Sequence, residues 1–193
     1  SRQVRIKLLE AAPRILPQMS KRVSNATAKL LQKLDVEILV DDRVVRMDGS
    51  SIVTANGQTL AYDLAVWAAG VKAPDWLEHF GGLTTNRNHQ IIVRETLQSV
   101  DDDDVFAIGD CAQCPWPEMH TSLPPLAQAA HQQSSHLAKM MKRRIDGKPM
   151  KPFRYHNYGA LVSLGKTSAV GNLMGGLIGG AMFVEGVIAR IMY

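Results

Sequence analysis

Polar and apolar residues alternate from Val4 into the apolar end at Leu9, and Glu10 follows. That pattern predicts a strand with an acid at its carboxyl tip. Pro13 and Pro17 mark the exit loop, and Ser20 can cap a helix. Val23, Ala26, Thr27, Leu30, Leu31 and Leu34 then share one helical face. Val36 to Val40 is apolar and β-branched and reads as the next strand. Strand, helix, strand is the grammar of an α/β domain.

Over residues 43–62 the period changes. Short β-prone pieces, Arg43–Met47, Ser51–Thr54 and Gln58–Tyr62, are separated by Asp48-Gly49 and Asn56-Gly57. Both dipeptides favour positive φ in tight hairpin turns, so a small antiparallel meander is expected. Leu64 to Ala69 is apolar throughout and predicts a strand buried on both faces, ending at Gly70. Asp75–Phe80 reads as a short helix closed by Gly81-Gly82, and Gln90–Val93 as a short strand. Val105–Ile108 reads as a buried strand that stops at Gly109-Asp110. A helix is expected from Leu126 to Arg144, opened by Pro124-Pro125 and closed by Lys142, Arg143 and Arg144.

The tail differs again. Eight glycines fall in the 35 residues from Gly159, and the 18 residues between Lys166 and Glu185 carry no charge. That length approaches a membrane span. Paired glycines and polar Thr167, Ser168 and Asn172 argue against one. Gly171, Gly175 and Gly179 fit small-residue helix packing, but turns between short strands are preferred. Ala181–Tyr193 fits an amphipathic or interfacial helix.

At 193 residues, 46% hydrophobic and 21% charged, the chain has room for one or two domains and an ordinary core. This composition excludes a mostly disordered or collagen-like protein, and two cysteines exclude a disulfide-dense scaffold. The net charge of +4 is uneven: +4 over residues 1–50, −7 over 51–138 and +7 over 139–193. A basic end can face an anionic lipid surface or simply be solvated. Nucleic acid is disfavoured, because no recognised binding motif accompanies the charge.

Candidate chemistry sits at a few positions. A carboxylate at a strand tip, as at Glu10, suits a ribose diol, although the chain holds no GxGxxG or GxxxxGK[ST] fingerprint. In VFAIGDCA the glycine lets a ligand approach closely, and Asp110 can accept bonds from sugar-like hydroxyls. In LAQAAHQQ small alanines allow a flat ring to lie against a helix start, whose first N–H groups lack helical partners. Gln128 and Gln132 are four residues apart and share a face. Asp101–Asp104 could be a metal site, but adjacent carboxylates diverge, so a solvated turn is preferred. Cys111 and Cys114 lack a helix N-terminus to activate a thiol and a His at zinc spacing. His131 is read as a surface or packing residue.

Together, VWAAGVKAP at 66–74, VFAIGDCA at 105–112, PPLAQAAHQQ at 124–133 and YGALVSLGKTSAVGNLMGG at 158–176 resemble the C-terminal part of a type II NADH dehydrogenase. That family is the single-chain, FAD-dependent NADH:quinone oxidoreductase. The resemblance implies an α/β fold of the two-dinucleotide-binding-domain, disulfide-reductase type. It divides the chain into the second half of an NADH domain (1–63), the return segment of an FAD domain (64–151) and the start of a membrane-associating region (152–193). It implies that Glu10 binds the NADH ribose and Asp110 the FAD ribityl chain, with Gly109 making room and Gly70 near the flavin. Leu126 and Ala127 would present backbone N–H groups to the isoalloxazine, and Gln128, Gln132 and Gln133 would border the quinone.

The implied activity is electron transfer from NADH through FAD to a quinone, with no catalytic metal and no proton pumping. The implied setting is the cytoplasmic face of the inner membrane, bound peripherally through the tail, with a homodimer left open. Both nucleotide fingerprints would lie upstream, so the chain alone is expected to be inactive. Tyr158 stands where related sequences often have Lys. The rival readings are a related flavoprotein such as a sulfide:quinone oxidoreductase, and a cofactor-free association module.

Overall fold

A computed structural model describes residues 4–164, 168–173 and 182–185, with side chains as far as Gly159. The chain divides into two compact units, one of Ser1–Val66 with Asn157–Tyr193 and one of Trp67–His156.

In the first unit, β1 (Ile6–Leu9) and β2 (Val36–Leu39) pair in parallel, Ile6 opposite Val36 and Leu9 opposite Leu39. Parallel neighbours need a crossover, and α1 (Lys21–Lys33) supplies it. Ser20 caps α1, its Oγ accepting from Val23 N at 3.4 Å. Val23, Ser24 and Thr27 form its buried face, and Ser24 Oγ donates to Ile15 O at 2.7 Å. Leu34, expected on that face, is 59% exposed, because the helix has already closed at Lys33.

The expected meander follows as β3 (Val44–Met47), β4 (Ser51–Thr54) and β5 (Thr59–Ala61), antiparallel in that order. Its second turn uses Gly57 at φ 81° as the dipeptide predicted. The first does not, for Gly49 avoids positive φ. Instead the Asp48 carboxylate closes the turn, accepting from Ser50 N at 3.0 Å and Ser51 N at 2.8 Å. These bonds hold its pKa down at about 2, from 3.8. The lowered value means that Asp48 stabilises the fold fully above pH 3.8, and that this contribution fades as pH falls toward about 2. Carbon-detected NMR should find the Asp48 carboxyl titrating near pH 2; a midpoint near 3.8 contradicts the Asx turn.

The tail pairs as β10 (Gly159–Leu164), β11 (Ser168–Leu173) and β12 (Met182–Glu185), antiparallel in that order. Short strands therefore replace small-residue helix packing at Gly171, which lies within β11. They also correct the interfacial helix expected over Ala181–Tyr193. Its described part, Met182–Glu185, is a strand whose backbone bonds go to β11. Gly175, Gly179 and the rest of that helix lie outside the described residues. Among the described residues no helix is long and apolar enough to cross a membrane.

The second unit is built largely from turns around one core that includes Leu77, Ile91, Val93, Leu97, Ala112 and Phe153. Two-residue strands β6 (Ile91–Ile92) and β7 (Ala112–Gln113) run parallel. β8 (Pro115–Trp116) and β9 (Thr121–Ser122) form a hairpin. Asp75–His79 is a 3-10 helix, and α2 spans Ala127–Ile145, with Lys142, Arg143 and Arg144 in its last turn.

Two expected strands are absent. Leu64–Ala69 has no ladder partner, and Leu64 and Val66 are each 82% exposed. An apolar run becomes a buried strand only where a sheet offers it neighbours, and no described strand flanks this one. Val105–Ile108 makes one bridge, Gln98 to Phe106, bracketed by Ser99 N to Val105 O and Ala107 N to Leu97 O, and no longer ladder.

The four acids at 101–104 diverge onto separate partners. Asp101 takes Thr84 N at 2.6 Å, and Asp102 takes Asp104 N at 2.8 Å. Asp103 pairs with Arg94 at 2.6 Å, and Asp104 pairs with Arg144. The Arg144 guanidinium also lies 5.6 Å from the Phe106 ring centroid, which ties the end of α2 to this turn.

Candidate functional site

The first candidate, Glu10, lies just past β1. Glu10 N donates to Leu39 O at 2.8 Å, extending the ladder by one bond. The carboxylate is thus delivered to the carboxyl edge of a parallel pair, where α/β sheets receive ligands. One oxygen already accepts from Ala12 N at 2.9 Å, which fixes the side chain's direction.

The other candidates belong to the second unit. Gly109–Cys111 forms one turn of 3-10 helix between the Val105–Ile108 segment and β7. Gly109 takes φ 66°, and a Cβ there would stand 3.4 Å from Ala130 Cβ. The left-handed angle is what favours glycine here, while the approach to α2 is an ordinary contact. The turn throws the Asp110 carboxylate to the surface, and no described hydrogen bond engages it.

α2 begins beside this turn. Leu126 caps it in extended conformation with no side-chain hydrogen bond, and the first helical bond runs from Ala130 N to Leu126 O at 3.0 Å. The Ala127 N–H therefore has no acceptor within the helix. The Gly109 turn and the first turns of α2 are in contact, through Gly109 with Ala130 and Gln133. Gly70 takes φ 108° in an exposed segment, with open space about it. No described hydrogen bond joins Gly70 to the Gly109 turn.

The three glutamines of α2 divide. Gln128 and Gln132 are partly exposed on one face. Gln132 pairs with the His156 backbone in both directions, Nε2 donating to His156 O at 2.8 Å and Oε1 accepting from His156 N at 2.9 Å. One N–H and one lone pair of its amide stay available. Gln133 points the other way, is 2% exposed, and accepts from Gly109 N at 2.7 Å. On the far side, Gln90 Nε2 donates to Asp110 O at 3.0 Å. Sequence reasoning missed Gln90, which read only as the start of a strand. His131 is exposed on α2.

The two cysteines flank β7, Cys111 closing the 3-10 turn before it and Cys114 directly after it. Cys111 donates to Ile108 O at 3.1 Å. Cys114 is 1% exposed, and burial pushes its thiol up to about 11. At neutral pH an alkylating reagent should modify Cys111 in the folded protein and spare Cys114. Equal modification, read by mass spectrometry, contradicts this placement.

Residues 1–134 match the pyridine nucleotide-disulphide oxidoreductase family. The chain is 35% identical over 190 residues to the type II NADH:quinone oxidoreductase of Haemophilus influenzae, covering 98% of this chain and 43% of that protein. Its backbone is similar to that of NDH2 from Plasmodium falciparum in complex with NADH, with a TM-score of 0.77 at 17% identity over 95% of this chain and 51% of that one. It is also similar to a FAD-dependent pyridine nucleotide-disulphide oxidoreductase from Desulfovibrio vulgaris, with a TM-score of 0.62 at 28% identity over 86% of this chain and 42% of that one. The chain thus spans about half the length of the proteins it matches. A match to the family over residues 1–134, on a βαβ unit that delivers an acid to its carboxyl edge, settles the assignment: the chain belongs to the pyridine nucleotide-disulphide oxidoreductase family.

Proposed function

We propose that this chain is part of an FAD-dependent NADH:quinone oxidoreductase that works as a peripheral membrane enzyme without pumping protons. The observation that carries the reading is the packing of the Gly109–Asp110 turn against the uncapped start of α2. It is supported by 35% identity over 98% of the chain to a relative named for that activity.

The residues present fit a flavin dinucleotide. Asp110 offers a carboxylate not engaged by described protein groups, suited to the hydroxyls of a ribityl chain. Gly109 keeps the approach open, and Gly70, with open space about it, would lie near the flavin. The N–H groups at Leu126 and Ala127 would meet an electron-rich edge of the isoalloxazine. Glu10 would accept from the NADH ribose. When bound, FAD supplies the redox chemistry, taking two electrons from NADH and passing them to a quinone.

This chain's own residues bind, orient and tune. Gln128 and Gln132 face one side of α2 and would hydrogen-bond the quinone carbonyls, while the Gln132–His156 pairing holds that amide in a single orientation. The tail and its basic flank would meet the membrane surface. Cys114, buried and with its thiol pushed up to about 11, is poorly suited to the redox pair that a sulfide:quinone enzyme requires.

In the full-length protein, Gln132→Ala should slow flavin reoxidation by quinone about tenfold and leave flavin reduction by NADH within about twofold, the cost of one or two hydrogen bonds. Equal loss in both half-reactions sinks the quinone role.

A further inference from the structure

We propose that Gln133 and Gln90 form a two-sided amide clamp that positions the flavin-binding turn, making Gln133 a positioning residue for the cofactor instead of a neighbour of the quinone. The inference rests on reading Asp110 as a flavin ligand, and it deepens that reading.

A three-residue turn has few bonds of its own, so its orientation must come from outside. Here two side-chain amides grip it from different elements. Gln133, on α2, accepts the Gly109 N–H at 2.7 Å. Gln90, just before β6, donates to the Asp110 carbonyl at 3.0 Å and reaches the Ala112 carbonyl at 3.5 Å. Gln90 is itself held by Asn86, whose Nδ2 donates to Gln90 Oε1 at 2.9 Å and whose Oδ1 accepts from Gln90 N at 3.0 Å. The Gly109–Asp110 segment is thereby held at both ends, at the Gly109 N–H and at the Asp110 carbonyl.

The clamp's chemistry explains its residue types. One amide must accept and the other donate, and a glutamine offers both functions without charge. Gln133 is 2% exposed, where a carboxylate or ammonium would be costly to bury. Breaking its bond leaves the Gly109 N–H unsatisfied next to α2. Pinning the turn also fixes the direction of a carboxylate that the protein itself leaves open. A ligand that needs two hydroxyls met in a set geometry gains from such preorganisation.

The test, in the full-length protein, uses Gln133→Leu, which keeps the volume and removes the acceptor, and Gln90→Leu at the more exposed end, which is the safer variant for folding. Two readouts are taken on each: hydrogen exchange of the Gly109 and Cys111 amides without flavin, and the FAD dissociation constant with the reduction potential of the bound flavin. The clamp predicts exchange at least about tenfold faster in both variants, FAD affinity about tenfold weaker, and a shifted potential. A purely structural role would lower thermal stability and leave the potential of the retained flavin unmoved, which overturns the proposal. Unchanged exchange at Gly109 and Cys111 overturns it as well, whether or not FAD binds. Should the unsubstituted protein bind no FAD, the flavin reading fails, and the proposed cofactor role of the clamp falls with it even if exchange is faster.

Discussion

Asp110→Ala should strip the protein of its flavin. A carboxylate that accepts from ribityl hydroxyls makes charge-assisted bonds worth about 1.5–3 kcal/mol each. Losing two of them weakens FAD binding at least about a hundredfold on that scale. The fold should not notice, because the Asp110 side chain is exposed and no described hydrogen bond engages it. Unfolding free energy should therefore stay within about 0.5 kcal/mol of the parent. Flavin titration and thermal melts on the same preparation check both halves of the expectation. Parental affinity in Asp110→Ala contradicts the cofactor assignment at its chosen residue.

The largest effect on stability belongs to Leu97. Its side chain is fully buried at the centre of the second unit, and its backbone sits at φ 69°. Leu97 N donates to Arg94 O at 2.9 Å, and Leu97 O accepts from Ala107 N at 3.2 Å, so the strained residue is locked on both sides. Leu97→Ala removes most of the buried side chain and should cost about 2–5 kcal/mol. Leu97→Gly removes more, yet it also relieves a left-handed conformation that costs an L-residue about 1–2 kcal/mol. The glycine variant should therefore match the alanine variant or exceed it by up to about 1.5 kcal/mol, whereas at an ordinary site glycine would be worse by about 0.5–1 kcal/mol. Urea unfolding separates these results. A glycine variant clearly weaker than the alanine variant contradicts the strained turn.

Much of the local structure is legible in the residue pattern because its causes are local. Ser20 caps α1 through its own hydroxyl, Pro124-Pro125 precede α2, and Asn56-Gly57 makes its turn with residues that tolerate positive φ. The failures have non-local causes. Leu64–Ala69 has the composition of a buried strand, but a strand also needs flanking strands, and composition cannot report them. Asp48-Gly49 reads as a glycine turn, yet the carboxylate of Asp48 outcompetes the backbone by accepting from two N–H groups at once.

The candidate site divides in the same way. Gly109, Asp110, Leu126 and Ala127 stand out as candidates in the sequence because glycine, acid and a small-residue helix start each carry their own chemical reason. The separate duties of Gln132 and Gln133 are not legible, since adjacent helix residues point about 100° apart and only the fold says what each direction meets. Gln132 meets the His156 backbone and Gln133 meets Gly109. Gln90 gives no sequence signal, because its partner lies 20 residues away across a loop.

The most direct test of the central claim is an anaerobic stopped-flow experiment on the full-length protein carrying this chain. It is mixed first with NADH and then with a water-soluble quinone while the flavin absorbance is followed. The account predicts that NADH bleaches the flavin and that quinone restores its colour. A protein that holds no flavin, or one whose bleached flavin is not restored by quinone, contradicts it.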